Sequence, residues 1–311
     1  MHSIAALALV LVGCAAAASE TKNDDPASDA PASDDATGTI SSTGTPTSTT
    51  TSSHGDAGDA AVATCAAGYF ADQTVKVGNA TRSYDVFVPA NARPSAPLPI
   101  VLTFHGDDGI SLREPLGLEK VTGNDAIVVY PHGDDNQWRL AKPDGNADYA
   151  FVEALKAELV ASRCGDAART FGIGMSNGAF FLNQMACYRG TAVFRAIVSH
   201  SGGLYAPDGV TARYDVATGA LVCPAPPPAV LVIHGQKDTT VPYESTGKNT
   251  RDSWVYNDGC NATKTAAFAP SPCASYTTCS KNGAAFCGVP NLAHAVWSGA
   301  AAASWAFLSK L

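Results

Sequence analysis

The sequence lacks three features that would point to particular classes of protein. No stretch reaches the roughly 18 consecutive apolar residues that a membrane-spanning helix requires. Basic residues are few, with 20 Lys and Arg against 28 Asp and Glu, so the chain offers no electrostatic footprint for nucleic acid or an anionic membrane. Its 9 cysteines include no C-x2-C pair of the kind common in zinc sites. We therefore expect no transmembrane helix, no nucleic-acid partner and no metal.

The N-terminal part of the chain differs in composition from the rest. The apolar run Ile4–Val12, followed closely by Cys14, predicts a signal peptide over residues 1–14. Its ending resembles a bacterial lipobox, so Cys14 is the expected site of lipidation, although only His2 and no Lys or Arg precedes the run. Residues 15–63 are mostly Ser, Thr, Ala, Asp, Gly and Pro, which predicts a disordered tether. This tether holds eight acidic residues against one lysine, and the remaining domain is therefore nearly neutral.

Residues 64–311 have the length of one α/β domain with a sizeable core. Eight cysteines fall in this region, and an even number behind a secretory signal predicts up to four disulfides. The sequence leaves their pairing open.

Short apolar runs alternate with helical patterns along this domain. The expected strands are a hairpin of Gln73–Val77 and Ser83–Val88, and buried runs at Leu98–Phe104, Ala126–Tyr130, Phe194–Ser199 and Ala229–Ile233. The expected helices include Asp148–Ser162 and Ala300–Leu308. This alternation predicts a mostly parallel sheet with helices on both faces. Several strands end at polar residues, where sites form in such sheets.

The stretch from Thr170 to Cys187 has the pattern of a nucleophile elbow. An apolar run enters Gly174-Met175-Ser176-Asn177-Gly178, and a helix-like segment leaves it. The two glycines have a steric reason, because side chains there would collide with the neighbouring strand and helix. Ser176 is the candidate nucleophile, and a plain glycine-rich turn is the alternative interpretation.

The order of a hydrolase triad along the chain is serine, acid, histidine, and it selects the other two members. Among the acidic residues after Ser176, only Asp238 directly follows a buried strand, and His294 is the one histidine downstream of it. The sequence therefore predicts Asp238 as the orienting acid and His294 as the general base. A turn or cap role for Asp238 and an exposed loop position for His294 remain as alternatives.

Other polar residues near the strand ends have expected supporting roles. The backbone N–H of Asn177, with the Gly106–Asp107 segment, is the candidate oxyanion hole. His105 is expected to stabilise its own loop rather than to transfer protons, while His132 and His234 are interpreted as structural. His200 is left without a role.

The aromatic side chains are the weakest of the site predictions. His105, Trp138 and Trp297 are candidate substrate-pocket residues, and Trp254 is a further tryptophan that could line it. Simple packing in the core is the competing interpretation for each tryptophan.

Together these motifs resemble a group of secreted α/β-hydrolase esterases. The group contains feruloyl and acetylxylan esterases of the carbohydrate esterase type and polyhydroxybutyrate depolymerase-like lipoproteins. The resemblance runs from about Tyr84 to the C-terminus. It rests on Phe104-His105-Gly106, Asp148-Tyr149-Ala150-Phe151-Val152, Gly174 to Ala179, His234-Gly235-Gln236-Lys237-Asp238, Val241-Pro242-Tyr243, Trp254 to Cys260, and His294 near Trp297.

The resemblance implies an α/β-hydrolase fold, a Ser176–Asp238–His294 triad and no cofactor. Two departures bear on rate and substrate. The first is at the histidine, which lies in Ala293-His294-Ala295 instead of the usual Gly-His-Thr/Ser. The second is the pair Asp107-Asp108 after His105-Gly106. If these carboxylates pointed inward, they would oppose the negative charge that develops on the substrate oxygen.

The expected function is that of a monomeric, extracytoplasmic serine esterase acting on feruloyl or acetyl esters of polysaccharide. Its only membrane contact would be the lipid anchor at Cys14. Three alternatives are a polyhydroxybutyrate oligomer depolymerase, a serine peptidase and a non-catalytic surface-binding lipoprotein with a hydrolase fold.

Overall fold

A computed structural model describes residues 65–311. The predicted signal peptide, Cys14 and the tether lie outside the described residues. A single ten-stranded sheet, with strand order β1-β2-β4-β3-β5-β6-β7-β10-β9-β8, organises the domain. The strands are β1 Gly68–Val77, β2 Ala80–Val88, β3 Leu98–Phe104, β4 Ile127–Pro131, β5 Gly165–Met175, β6 Ala196–His200, β7 Ala229–Gly235, β8 Thr265–Ala267, β9 Cys273–Tyr276 and β10 Ala284–Val289. The helices are α1 Arg113–Leu116, α2 Leu118–Thr122, α3 Ala147–Ser162, α4 Asn177–Arg189, α5 Lys248–Asn257 and α6 Ala300–Leu308.

The six central strands, from β4 to β10 in the sheet order, are parallel to one another. Antiparallel strands extend the sheet at both sides, β2 and β1 next to β4, and β9 and β8 next to β10. Every residue of β6 and β7 is buried, as expected for strands covered on both faces. The mostly parallel sheet confirms the predicted fold class.

Two hydrophobic cores lie on opposite faces of the sheet. Along β3, Ile100 and Leu102 belong to one core and Val101 to the other, because successive side chains of a strand alternate. The first core takes its helical residues from α3, α4 and α5, and the second from α1, α2 and α6. Helices therefore cover both faces, as the sequence predicts. Among residues 65–311, no helix combines the length and apolarity needed to cross a bilayer.

The predicted strands and helices are all present, with bounds shifted by a few residues. The prediction did not include α1, α2 and α5, or the strands β8, β9 and β10. β8 and β9 have only three and four residues, and β10 reads Ala-Ala-Phe-Cys-Gly-Val, so small residues weaken its apolar signal. The segment that connects Asp238 to His294 was thus the least predictable part of the fold.

Four disulfides form from the eight cysteines, in agreement with the predicted maximum. The pairs are Cys65–Cys164, Cys187–Cys223, Cys260–Cys279 and Cys273–Cys287. The last two join elements of the short-stranded segment after α5. Disulfides stabilise chiefly by restricting the unfolded chain, which suits a segment whose strands β8 and β9 have only three and four residues.

Candidate active site

Ser176 lies at the sharp turn between β5 and α4. Its backbone has φ 51° and ψ −122°, a region that residues other than glycine seldom adopt. A Cβ added at Gly174 would lie 2.5 Å from the carbonyl oxygen of Gly178 and 2.7 Å from Cα of Ala179. One added at Gly178 would overlap the backbone at the end of β3. The two glycines thus allow helix and strand to meet closely around the serine, as the sequence predicts.

A continuous chain of hydrogen bonds joins the three predicted triad residues. Nε2 of His294 lies 3.0 Å from Oγ of Ser176. Nδ1 of the same ring lies 2.8 Å from Oδ2 of Asp238. The carboxylate is fully buried, and the imidazole is 19% exposed. This is the geometry in which a histidine can take a proton from a serine while a carboxylate orients the ring.

The loop after β7 fixes the orientation of Asp238. Its second oxygen, Oδ1, accepts hydrogen bonds from the N–H groups of Thr240 at 3.1 Å and Val241 at 2.9 Å. The turn role that the sequence left open is therefore present together with the contact to the histidine. His234 donates through Nε2 to the Val241 carbonyl at 2.8 Å, and burial lowers its pKa. His234 thus supports the loop structurally, and Nε2 also lies 3.5 Å from the Asp238 carboxylate.

His200, which the sequence left without a role, connects the elbow to the loop that carries His294. Its carbonyl accepts from the N–H of Ser176 at 3.0 Å. Its Nε2 lies 3.0 Å from the N–H of Trp297 and must accept from it, so Nδ1 carries the proton and donates to Oγ of Ser201. Burial lowers the pKa of His200 to about 3, with the neighbouring His234 as the next cause. The ring consequently stays neutral and keeps its acceptor at ordinary pH.

The predicted oxyanion donors lie on both sides of Ser176. Asn177 begins α4, where first-turn N–H groups have no acceptor within the helix. Across from it, a Cβ at Gly106 would lie 3.5 Å from Cβ of Ser176, so this loop approaches the serine closely. The N–H of Asp107 has no acceptor among the described backbone groups. Two N–H groups are thus available to an oxygen bound beside Oγ.

His105 holds this loop in place from beneath. Its Nδ1 donates to the carbonyl of Gly106 at 2.7 Å, and its Nε2 accepts from the N–H of Gly133 at 2.9 Å. Burial lowers its pKa, which maintains the neutral ring that this pair of bonds requires. The His105 ring therefore stabilises its own loop, which is the first of the two roles that the sequence analysis gave it.

Neither His105 nor Trp138 borders a cavity that contains Ser176, in contrast to the predicted substrate-pocket role. Trp138 is 2% exposed, and its ring stacks on Phe181 within the core. Its indole N–H donates to the carbonyl of His105 at 3.1 Å, and its backbone N–H donates to Oδ1 of Asn177 at 2.7 Å. A buried ring with a satisfied donor offers no surface to a substrate.

The two other tryptophans also pack against the protein. Trp297 is half-buried and packs against the core on the α6 side. It does not border either of the two cavities that flank Ser176, which are described below. Trp254 is fully buried, and its indole N–H donates to Oδ1 of Asn183 at 3.0 Å. The packing interpretation holds for these side chains.

Two cavities flank Ser176. One, of about 400 Å³, is bordered by His294 and by apolar side chains that include Ile110, Leu112 and Val296. The other, of about 480 Å³, is bordered by Asn177 and by side chains of α4 and of the segment around residue 205. We refer to them as the histidine-side cavity and the helix-side cavity.

Both cavities are bordered by Asp107 and Thr240 as well as by Ser176. The Asp107 and Asp108 side chains are exposed rather than enclosed. Oδ1 of Asp108 accepts from the N–H of Ile110 at 3.0 Å, which directs this carboxylate into its own turn. Asp108 still borders the histidine-side cavity, and Asp107 is the carboxylate that borders both cavities.

Sequence reasoning missed Phe180, Gln184 and Tyr205, which line the helix-side cavity. The first two follow Ser176 at intervals of four along the predicted helix, a spacing that places them on the side of the nucleophile. That signal was available in the sequence. Tyr205 is in an irregular segment after β6, and no pattern marks it.

Among residues 65–311, three possible metal ligands lie close together at the β1–β2 side of the sheet: Asp72, Asp85 and His132. His132 contacts Oγ of Ser83 at 3.0 Å and lies 3.3 Å from Oδ1 of Asp85. These contacts fit the structural role expected for His132, and none of the three residues borders either cavity beside Ser176.

No protein-family model matches the chain. Over 190 residues it is 31% identical to feruloyl esterase C of Emericella nidulans, a match that covers 58% of this chain and 64% of that protein. The chain spans half to two thirds of the length of the curated relatives it matches.

Solved structures share the fold at lower identity. Acetyl xylan esterase from Aspergillus awamori aligns with a TM-score of 0.58 at 18% identity, over 77% of this chain and 99% of that one. Oligopeptidase B from Leishmania major aligns with a TM-score of 0.52 at 13% identity, over 78% of this chain and 36% of that one. The chain has the α/β-hydrolase fold and is similar to feruloyl and acetylxylan esterases, as the sequence motifs predicted.

Proposed function

We propose that this protein is a serine-type carboxylic ester hydrolase. The observation that carries the proposal is the chain of hydrogen bonds from Ser176 through His294 to Asp238, set beside two cavities. The similarity to feruloyl esterase C supports the ester class. The proposed substrates are feruloyl or acetyl esters of polysaccharide, and no cofactor takes part.

In the proposed mechanism, Oγ of Ser176 attacks the ester carbonyl carbon while Nε2 of His294 takes the serine proton. The carbonyl oxygen becomes an oxyanion and accepts from the N–H groups of Asn177 and Asp107. The carbon–alkoxy bond then breaks, and the alcohol leaves with the proton from His294. Water repeats the sequence on the acyl-enzyme, which releases the acid and restores the serine. The Asp238 carboxylate accepts from Nδ1 of His294 and stabilises the imidazolium.

The proposed location is extracytoplasmic, with the protein tethered by a lipid at Cys14 and acting as a monomer. The four disulfides favour an oxidising compartment. The lipid anchor rests on the sequence pattern at residues 1–14 alone. Globomycin sensitivity of processing, or a mass shift on Cys14, would test it independently of activity.

A panel of esters and a matched amide tests the activity. Methyl ferulate, acetylated xylan, hydroxybutyrate oligomers and a peptide anilide would be compared for wild type and Ser176→Ala. We expect hydrolysis of the first two and at least a thousandfold loss in the variant. Preference for hydroxybutyrate oligomers or for the anilide would instead identify a depolymerase or a peptidase. Absence of any Ser176-dependent turnover in folded protein would indicate the non-catalytic binding protein.

A further inference from the structure

We infer that the proposed active site selects its substrates by charge, accepting neutral and cationic esters and disfavouring esters with a negative charge close to the scissile bond. The carboxylates of Asp107, Asp108 and Asp208 are the specificity-determining groups. The inference rests on the proposed esterase function and adds a substrate class to it. That class is esters of uncharged polysaccharide, rather than of chains with uronate groups beside the ester.

Apart from the triad histidine, the charged side chains that border the two cavities are all aspartates. Asp107 borders both cavities, Asp108 borders the histidine-side cavity, and Asp208 borders the helix-side cavity. Among residues 65–311, no lysine or arginine borders either cavity. A substrate therefore meets negative charge whichever way round its acyl and alcohol halves lie.

The protein does not neutralise these three carboxylates. Within the part of the chain that the structure describes, none of them is in an ion pair. Asp108 accepts from the N–H of Ile110, which leaves its charge in place. All three residues are exposed, so they can face an approaching substrate. Nor do they form a cation site, because the possible metal ligands found among the described residues lie elsewhere, at the β1–β2 side of the sheet.

The basic residues nearest in sequence do not offset this charge. Arg113 follows Leu112, which borders the histidine-side cavity, but its guanidinium lies 2.7 Å from the Glu119 carboxylate. Lys237 directly precedes Asp238 and borders neither cavity. The aspartates therefore determine the sign of the charge that a substrate meets beside the nucleophile.

One of these carboxylates is demonstrably close to the reacting atoms. A Cβ at Gly106 would lie 3.5 Å from Cβ of Ser176 and 3.7 Å from Oδ1 of Asp108, so these two atoms are at most about 7.2 Å apart. At such a separation one unit charge changes the binding of another by about threefold in water, and by more where protein displaces the water. Clefts bordered by one sign of charge also raise the local concentration of the opposite sign.

The experiment compares two pairs of esters whose members differ mainly in charge. Acetylcholine is matched with 3,3-dimethylbutyl acetate, its neutral isostere, and mono-4-nitrophenyl glutarate is matched with its methyl ester. At an ionic strength of about 10 mM, we expect kcat/KM to be about fivefold higher for acetylcholine than for its neutral match. We expect it to be about fivefold lower for the free glutarate than for the methyl ester. Both preferences should largely disappear at about 1 M salt, because the Debye length falls from about 30 Å to about 3 Å.

Two variants remove the charges with little change of shape. Asp107→Asn/Asp108→Asn keeps the size of both side chains and an acceptor for the N–H of Ile110. It should reduce both low-salt preferences by half or more. Asp208→Asn should reduce them less, because Asp208 borders only one of the cavities.

Asp125→Asn is the matched control. Asp125 is exposed, is in no ion pair among the described residues and borders neither cavity beside Ser176. It precedes β4, at the opposite end of the parallel strands from the elbow. The variant should keep both wild-type preferences and their dependence on salt.

Three outcomes would each overturn the inference. The first two need no variant, and they are the absence of both preferences in wild type at low salt and preferences that do not change with salt. The third is an equal change in Asp125→Asn and in the double variant. Turnover of the two neutral esters would leave the esterase proposal in place in all three cases. Inactivity toward all four esters would remove the esterase proposal itself.

Discussion

The two parts of the proposed catalytic apparatus are held by different means. Ser176 follows β5, in the middle of the sheet, and close backbone contacts at Gly174 and Gly178 fix it. Asp238 and His294 lie in loops after β7 and β10, and hydrogen bonds to buried histidines and backbone N–H groups fix them. Substitutions at the elbow around Ser176 should therefore act through steric overlap. Substitutions in or beside the loops that carry Asp238 and His294 should act through the loss of individual hydrogen bonds.

The largest expected effect is that of Asp238→Asn. The amide keeps an acceptor for the loop N–H groups but removes the negative charge that faces Nδ1 of His294. We expect kcat to fall by about three to four orders of magnitude with little change in melting temperature. Single-turnover kinetics and a thermal melt would measure both. A fall of less than tenfold would show that Asp238 has only a turn role.

The next effect is that of Gly178→Ala at the elbow. The new methyl group would overlap the carbonyl oxygens of Phe104 and His105, at the end of β3 and the start of the oxyanion loop. Because backbone must shift to make room, we expect a loss of about 1–3 kcal/mol in the free energy of unfolding and a substantial loss of kcat. Denaturant unfolding and ester turnover would test this. Ala179→Gly, which removes a methyl group from the adjacent residue, is the control for helix propensity, with an expected cost of about 1 kcal/mol.

A smaller effect is expected from the bond between His200 and the loop of His294. His200→Leu removes the acceptor for the N–H of Trp297, whereas His200→Gln can place an amide oxygen near the same point. We expect kcat to fall about tenfold or more in the leucine variant at nearly constant KM, with partial recovery in the glutamine variant.

Thr103→Val is the matched control for this pair, because it removes a different buried hydrogen bond, to the carbonyl of Val129. It should cost comparable stability with no effect on kcat. If both His200 variants lose stability as Thr103→Val does and, like it, keep their kcat, then His200 has only a structural role.

The smallest expected effect on ester turnover concerns Asp258, at the end of α5 in the segment between the two loops. Burial raises the pKa of Asp258 to about 7, and its Oδ2 has no partner among the described residues. The folded protein therefore holds this proton between about pH 4 and pH 7 while the unfolded chain does not. The stability that it contributes is present at low pH and is lost as pH rises through 7.

Asp258→Asn should remove this pH dependence, which we expect to amount to about 3 kcal/mol between pH 4.5 and pH 8. Denaturant unfolding of the two proteins across this range would measure the difference. Asp125→Asn, at an exposed position, is the control. A difference between wild type and Asp258→Asn that does not change with pH would contradict the buried-proton account.

The elbow and the central strands could be predicted because local patterns specify them. Continuous apolar runs mark strands buried on both faces, and Gly174 and Gly178 mark a turn where backbone segments meet. Asp238 and His294 could be selected because the order along the chain leaves few candidates. The pairing of the cysteines and the strands after α5 could not, since they depend on contacts between distant segments made by short or small-residue elements.

Within the candidate site, the residues that border the cavities were the least predictable part. The tryptophans were expected there because of their size. Trp138 instead packs in the core against Phe181, and its backbone N–H donates to the side chain of Asn177. Helical spacing from Ser176 indicates Phe180, but Tyr205 gains its position beside the helix-side cavity from how α4 packs against the segment after β6. Which apolar side chains face a cavity rather than the core depends on that packing, which no local pattern records.

The central claim is that His294 and Asp238 activate Ser176 as a nucleophile. Treatment of folded protein with a fluorophosphonate probe, followed by intact mass and peptide mapping, tests it most directly. We expect one adduct, on Ser176, formed rapidly in wild type, much more slowly in His294→Ala, and not at all in Ser176→Ala. Absence of an adduct in folded wild type, or labelling at another serine that persists in Ser176→Ala, would contradict the account.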